Sequence, residues 1–358
     1  MTSIALLLSG GVDSAVALSL LKDEFPGADI EACYLKIWLE DELAFLGDCP
    51  WEEDLDYVRR ICDQCGIKLN IINLQSEYLE QVVGFALEEL RAGRTPSPDI
   101  HCNELIKFGA FFDKASKNYD LVASGHYARI KKDENGKAHL LCAPDLIKDQ
   151  TYFLSNLRQD QLARIHFPIG HLPKQEVRHI AEERNLPPKS RKDSQGICFL
   201  GKIPYREFVK CHLGENPGDI IEKESGRILG QHQGSWFHTI GQRKGLGLGG
   251  GPWFVVDKDF QNNIVLVSHQ EHFQDQARDH FHLLSPNWNQ GEAPKKGHYR
   301  FKLRHGPNFV GGQLSPIDEN RWLVETEVSD PGIASGQHAV VYQDEECLGG
   351  GIMELQPD

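Results

Sequence analysis

The chain has 358 residues, 40% of them apolar and 25% charged, with a formal net charge of -14. That length exceeds what one hydrophobic core usually fills, so two or three domains are expected. No stretch approaches the roughly 20 apolar residues that cross a bilayer, and the acidic balance argues against a large basic nucleic-acid surface, so any RNA contact must be local. Met1 runs straight into an apolar stretch with no basic leader, which makes the cytoplasm the expected location. Nine cysteines scattered along so long a chain are expected mostly as reduced thiols.

In chain order, short aliphatic runs alternate with amphipathic stretches over the first 130 residues, the pattern of a parallel sheet covered by helices. Strands are predicted over 3–8, 30–38, 68–74 and 120–124. Helices are predicted over 13–21, 51–65, 77–92 and 103–116, with Gly66 and Gly93 as C-terminal stops. Four such units give a doubly wound α/β layer. Polar alternation over 128–142, broken by Asp133-Glu134-Asn135-Gly136, predicts a hairpin inserted into that sheet domain, and a further helix follows over 174–184. After about Ile203 the texture changes to short segments rich in Gly, Pro and His, and from about Arg278 strands over 299–304, 321–327 and 338–342 predict a small β-barrel. The expected division is 1–202, 203–277 and 278–358.

The apolar run Ala5-Leu6-Leu7-Leu8 turns through Ser9-Gly10-Gly11-Val12-Asp13-Ser14 directly into a helix, a geometry that cradles phosphate. Two glycines let the backbone approach an anion, the helix start offers N–H groups and a positive dipole end, and the Ser9 and Ser14 hydroxyls can add donors. No lysine follows the glycines, so this is not the GxxxxGKS loop of kinases and GTPases. A bare SGG can be no more than a helix start; the whole SGGVDS resembles the PP-loop of the ATP pyrophosphatases. Members of that group cleave ATP between the α and β phosphates and activate a carbonyl or amide oxygen as an adenylate. The resemblance implies ATP and Mg2+, with Leu7, Leu8, Ser9, Gly10, Gly11, Val12, Asp13 and Ser14 at the nucleotide. Asp13 would hold the magnesium-pyrophosphate end, and Leu35 would lie near the adenine.

Two thiols stand in polar contexts. The segment Gly93-Arg94-Thr95-Pro96-Ser97-Pro98-Asp99-Ile100-His101-Cys102-Asn103 places Cys102 at a predicted helix start, which favours thiolate. Cys198, in Lys192-Asp193-Ser194-Gln195-Gly196-Ile197-Cys198, follows the basic residues Lys189, Arg191 and Lys192. Read without context, each is more often a small buried hydrophobe.

The ordered set SGGVDS, GRTPSPDIHCN with IKFGAFFDKA, SGHYAR, KDQTYFL, DSQGICFLG, TIGQRKGLG and CLGGGI is similar to the tRNA-specific 2-thiouridylase family over nearly the whole chain. The resemblance implies a PP-loop sheet domain, adenine nucleotide alpha-hydrolase-like, then a central tRNA-binding domain and a C-terminal β-barrel. It implies Cys102 as nucleophile and Cys198 as the persulfide carrier, the two able to close a disulfide. It further implies Ser97, Pro98 and Asp99 at the target base, Gly125 at ATP, His126 at RNA, and Lys148, Asp149 and Gln150 along the tRNA path. Arg304, His305 and Gln337 align with tRNA contacts of the barrel. Ser97 stands where the family commonly has Asn, and His101 where an aliphatic residue is usual.

The expected reaction is ATP-dependent 2-thiolation of the wobble uridine: adenylation of its C2 oxygen, then sulfur transfer from the Cys198 persulfide, giving 2-thiouridine, AMP and pyrophosphate. A cysteine desulfurase or sulfur-relay protein would supply the sulfur, and a monomer would hold the anticodon arm of one tRNA. Alternatives are an amidating ligase of the same PP-loop group, which needs no cysteine pair, a sulfur carrier without activity, and an iron-sulfur cluster on Cys102 and Cys198. Cys62-Asp63-Gln64-Cys65 is a CxxC, read as a helix end rather than a metal site because no second pair follows, and no metal ligand set is predicted. Lys189-Ser190-Arg191-Lys192 and Gln242-Arg243-Lys244 could meet phosphates.

Overall fold

The computed structural model describes residues 2–37, 51–115, 118–193 and 204–355, so Cys198 and most of its motif lie outside the described residues, as do Trp38 and Ser116. The first domain is built on a five-stranded parallel sheet of order β3-β2-β1-β4-β7, from β1 (Ser3–Leu7), β2 (Asp29–Lys36), β3 (Lys68–Asn73), β4 (Leu121–Ser124) and β7 (Ile165–His166). β1 is the central strand and is buried on both sides. Ile4, Leu6 and Leu8 join one apolar cluster, and Ala5 and Leu7 join the other, which explains its unbroken aliphatic run. The helix α1 (Val12–Glu24) and the helix Trp51–Cys65 pack on the first face. The helical runs 75–91 and 98–114 pack on the second. Gly66 and Gly93 take positive φ values of 64° and 83° after their helices. β7 went unpredicted because two residues carry no periodicity.

The hairpin β5 (Ala128–Lys132) and β6 (Ala138–Cys142) forms across the turn Asp133–Gly136, but it does not extend the parallel sheet. β6 pairs with β17 (Glu346–Glu354) through Leu140↔Cys347 and Leu141↔Glu346, so the hairpin prolongs the C-terminal sheet. A two-stranded ribbon with one buried face (Ala138, Leu140, Cys142) is marginal alone and takes the nearest open strand as partner.

The central unit contains the helix Tyr205–Leu213 and a sheet of order β10-β11-β8-β9, from β8 (Gly218–Glu222), β9 (Ile228–His232), β10 (Trp253–Asp259) and β11 (Ile264–His269). The barrel runs β12-β15-β14-β13-β16-β17 and closes by β12–β17, using β12 (Arg278–Trp288), β13 (Gly297–Lys302), β14 (Val310–Pro316), β15 (Arg321–Asp330) and β16 (His338–Gln343). The CLGGGI motif is the closing strand: a Cβ on Gly349, Gly350 or Gly351 would lie 2.0, 2.5 or 2.6 Å from the carbonyl oxygens of Asn287, Ala339 or Leu284. Its glycines serve close strand approach.

One apolar cluster crosses all three units. It contains Leu7, Cys102, Ile106 and Phe108 of the first, Phe208 and Val209 of the second, and Val340, Tyr342 and Cys347 of the third. The barrel is therefore packed onto the first domain rather than tethered beside it.

Candidate nucleotide and thiol site

The chain leaves β1 toward β2 on one side and reaches β4 on the other, so the crevice at the carboxyl ends of β1 and β4 is the switch point where open α/β sheets bind ligands. The Ser9–Gly11 turn sits there. Gly10 has φ +78° and a Cβ on it would lie 2.7 Å from the carbonyl oxygen of Asp54, so only glycine fits. A Cβ on Gly125, just past β4, would lie 2.8 Å from the amide nitrogen of Ser14, so β4 ends against the first turn of α1. Leu7, Leu8 and Val12 are buried and can offer only backbone to a ligand. The Ser9 and Ser14 hydroxyls lie 3.2 Å apart, and Ser14 Oγ also donates to Gly11 O at 3.1 Å, so both are engaged in shaping the turn. Leu35 packs on the same core as Cys102, near the carboxyl end of β2.

Asp13 carries a defined partner set. Its Oδ1 accepts from the Tyr127 hydroxyl at 2.8 Å and from Lys174 Nζ at 2.6 Å. Lys174 also reaches Asp193 Oδ1 at 2.9 Å, and Asp193 is gripped besides by Lys148 at 2.9 Å and by Arg178. Burial alone would raise the Asp193 carboxyl, but the hydrogen bonds and charges of Lys148 and Lys174 outweigh it and hold it far below its ordinary value. Gln150 Oε1 accepts from Tyr127 N at 2.9 Å, which fixes the residue whose hydroxyl holds Asp13. On the other flank Arg191 donates to Gly10 O at 3.1 Å, pairs with Asp54 and lies 4.7 Å over the Tyr57 ring.

Cys102 is 1% exposed, and the structure corrects its place on the helix. The helical run begins at Pro98, so Cys102 sits in its second turn, where α-type turns (Pro98–His101) pass into π-type turns (Cys102–Ala110). The helix dipole acts mainly within the first turn, and so falls on Ser97–Asp99 rather than on the thiol. His101 acts as an aromatic packing piece: its ring lies 4.1 Å from Phe85 and meets His338 edge-on at 5.8 Å. His126 bonds to Ser124 Oγ through Nδ1 at 2.8 Å and touches Phe108 of the Cys102 helix, with centroids 6.1 Å apart. Burial, aided by the nearby Lys107 charge, holds His126 well below 6.5, so it is neutral at pH 7. Residues 124–127 are thus one wall shared by the glycine turn and the thiol helix.

The remaining predicted residues meet at the seam between the catalytic domain and the barrel. Thr95 N donates to Ser335 O at 2.9 Å, and a Cβ on Gly336 would lie 2.7 Å from Thr95 N, so the loop before Cys102 is pressed onto the barrel. A Cβ on Gly93 would lie 2.2 Å from the Phe260 ring of the central unit, so all three units meet at this loop. Ser97, Pro98 and Asp99 are half-buried at the start of the helical run, and the Ser97 hydroxyl meets that of Tyr152, which donates to His338 O at 3.1 Å. His305 stacks on Phe153 and bonds to Asp149 O at 3.2 Å. Arg304 turns outward to Asp330, and Gln337 Oε1 is buried without a hydrogen-bond partner among the described residues.

Asp149 is held inside the protein. Its side chain is fully buried and accepts from Lys302 Nζ at 2.6 Å, from Thr151 Oγ1 at 2.8 Å and from Ala143 N at 3.0 Å. The Asp149 carboxylate thereby joins the barrel to the first domain. Cys62 and Cys65 stand at the end of the helix Trp51–Cys65, where burial pushes the Cys62 thiol up to about 11 and raises that of Cys65. In the two basic clusters, Arg191 is spent internally, while Arg243 lines an open groove with Gly245–Leu248 and Trp253.

Residues 2–202 match the tRNA methyl transferase HUP domain, 206–269 the tRNA methyl transferase PRC-barrel domain and 278–353 the Aminomethyltransferase beta-barrel domain. The chain is 44% identical to the tRNA-specific 2-thiouridylase MnmA of Parabacteroides distasonis, over 98% of each chain. The chain belongs to the tRNA-specific 2-thiouridylase family. It is likewise 45% identical to tRNA-specific 2-thiouridylase MnmA 1 of Bacteroides thetaiotaomicron, over 98% of this chain and 99% of that one, and 44% identical to the enzyme of that name from Porphyromonas gingivalis, over 98% of each.

The family motifs contain some of the residues that sequence reasoning missed. Tyr127 stands inside SGHYAR and Asp193 inside DSQGICFLG, yet nothing local says that the first would hold Asp13 or that the second would share a lysine with it. Lys174 and Arg178 belong to no quoted motif. The one sequence signal at Lys174 is a cation at the first position of a helix, where the dipole disfavours it.

Proposed function

We propose that this chain 2-thiolates the wobble uridine of tRNA at the expense of ATP, as a cytoplasmic monomer that holds the anticodon arm across its central unit and barrel. The observation that carries the reading is the shared wall at 124–127, which sets a nucleotide turn beside a buried thiol helix. ATP is the ligand that a PP-loop turn at the start of α1 would take, and Gly10 and Gly125 let that turn pack closely on Asp54 and against β4, where a Cβ would collide. Mg2+ that arrives with the phosphates would take one protein carboxylate, Asp13. Bound Mg2+ would supply positive charge against the departing pyrophosphate.

The chain's own residues divide the work as follows. The first-turn N–H groups of α1 hold phosphate, and Tyr127 and Lys174 hold Asp13 in place. The uridine C2 oxygen attacks the α phosphorus, pyrophosphate leaves, and the oxygen becomes part of an AMP leaving group. The terminal sulfur of a Cys198 persulfide attacks C2 and AMP departs. The Cys102 thiolate then attacks the Cys198 sulfur, which frees 2-thiouridine and leaves a Cys102–Cys198 disulfide for an external thiol to reduce. A cysteine desulfurase or relay protein recharges Cys198. His126, being neutral, can hydrogen-bond the flipped nucleotide without competing for phosphate. Domain limits near 202 and 277 would separate the catalytic unit from the two tRNA-binding units. No helix among the described residues is long and apolar enough to cross a membrane.

The test incubates the protein with a wobble-uridine tRNA transcript, ATP, Mg2+, a cysteine desulfurase with L-cysteine as persulfide donor and an excess of thiol reductant, and analyses the nucleosides by mass. The expected result is 2-thiouridine only when ATP is present, lost in Cys102→Ser and Cys198→Ser while tRNA binding persists. Cleavage of ATP to AMP with no thiolated base would assign the site to another acceptor.

A further inference from the structure

The glycine turn has no lysine of its own, yet a pyrophosphate group that lands on it carries several negative charges beside Asp13. We propose that Lys174 is the cation that contacts and neutralises the pyrophosphate end of the nucleotide, reaching the turn from a helix about 160 residues away in sequence. The inference rests on the nucleotide reading of this turn and adds to it a phosphate ligand that no motif assigns.

Three observations carry it. Lys174 Nζ lies 2.6 Å from an oxygen of Asp13, within the first turn of α1, and is only 13% exposed. The other cations nearby are turned elsewhere. Arg178 donates to the carbonyl oxygens of Lys189 and Arg191 and to Asp193, Lys148 pairs with Asp193, and Arg191 pairs with Asp54 against the Tyr57 ring. Lys174 alone among them bonds a carboxylate of the phosphate turn. Its position on its own helix is unfavourable: it is the first residue after Pro173, where the helix dipole opposes a cation, and its amide is tied to Asp145 Oδ2 at 3.1 Å. A placement that costs local stability fits a demand from the site it reaches.

An ammonium has three donors, and two are spent here on Asp13 and Asp193, which leaves a third to aim at a phosphate oxygen without breaking either bond. Asp13 and Asp193 would then hold the ammonium at the pyrophosphate end. AMP, which lacks the pyrophosphate, has no part in this contact.

The test measures binding of inorganic pyrophosphate with Mg2+, and separately of AMP, to the full-length protein by calorimetry without tRNA. Lys174→Met should weaken pyrophosphate at least tenfold and leave AMP within twofold, and Lys174→Arg, which keeps the charge, should recover most of the loss. Unchanged pyrophosphate affinity in Lys174→Met overturns the inference. So does equal loss of pyrophosphate and AMP, which would mean that the turn had collapsed. Failure of the wild-type protein to bind pyrophosphate, AMP or ATP would bring down the nucleotide reading itself, and the inference with it.

Discussion

Lys302 of β13 and Asp149 of the catalytic domain form an ion pair at 2.6 Å with neither side chain exposed. Lys302→Met keeps the aliphatic stem and strands the carboxylate in the seam, where only Thr151 Oγ1 and Ala143 N still donate to it. Removing one partner of a buried pair costs roughly 3–5 kcal/mol. The cost of Lys302→Met should therefore be about 3–5 kcal/mol at pH 7. Lys302→Met/Asp149→Asn, with no charge left to strand, should return to within about 1 kcal/mol of wild type. Urea denaturation reads all three proteins. A loss below about 1 kcal/mol in Lys302→Met, or a double variant no more stable than the single one, would refute the argument that this pair locks the barrel to the first domain.

Tyr127→Phe removes only the hydroxyl that donates to Asp13; it should leave tRNA affinity unchanged and weaken Mg-ATP by about tenfold, the worth of one charge-assisted hydrogen bond, measured by titration. Gly125→Ala puts a Cβ 2.8 Å from Ser14 N, so the start of α1 must shift; nucleotide binding should be lost along with about 1–3 kcal/mol of stability, and an unaffected ATP affinity would contradict the packing of β4 on that helix. Burial lowers the Lys258 ammonium to about 8, from an ordinary 10.5. The folded state thus disfavours the charged form below about pH 8, and the penalty fades as pH rises from there toward 10.5. Lys258→Met should accordingly stabilise the protein at pH 7, by at most about 3 kcal/mol less the lost bond to His238 O, with a smaller gain at pH 10 by thermal melting.

The sequence by itself determined the layered first domain, the site of the glycine turn and the barrel at the far end. These follow from local rules: the aliphatic run of β1, buried on both faces, the positive φ that Gly10, Gly66 and Gly93 require, and period-two strands between turns. The motif order identified the family. Tertiary structure decided what local periodicity cannot encode. The hairpin over 128–142 has the same alternation whichever sheet it joins, and only the open edge of β17 at Cys347 settled it. Helix-start chemistry put Cys102 at the first turn, but the stiff Ser97-Pro98 step had already begun the helix. Nothing local to Asp149 shows that Lys302, about 150 residues later, is folded against it. Lys174 meets Asp13 only because the helix Lys174–Glu183 packs on α1, since a charge pair that distant leaves no trace in either local sequence.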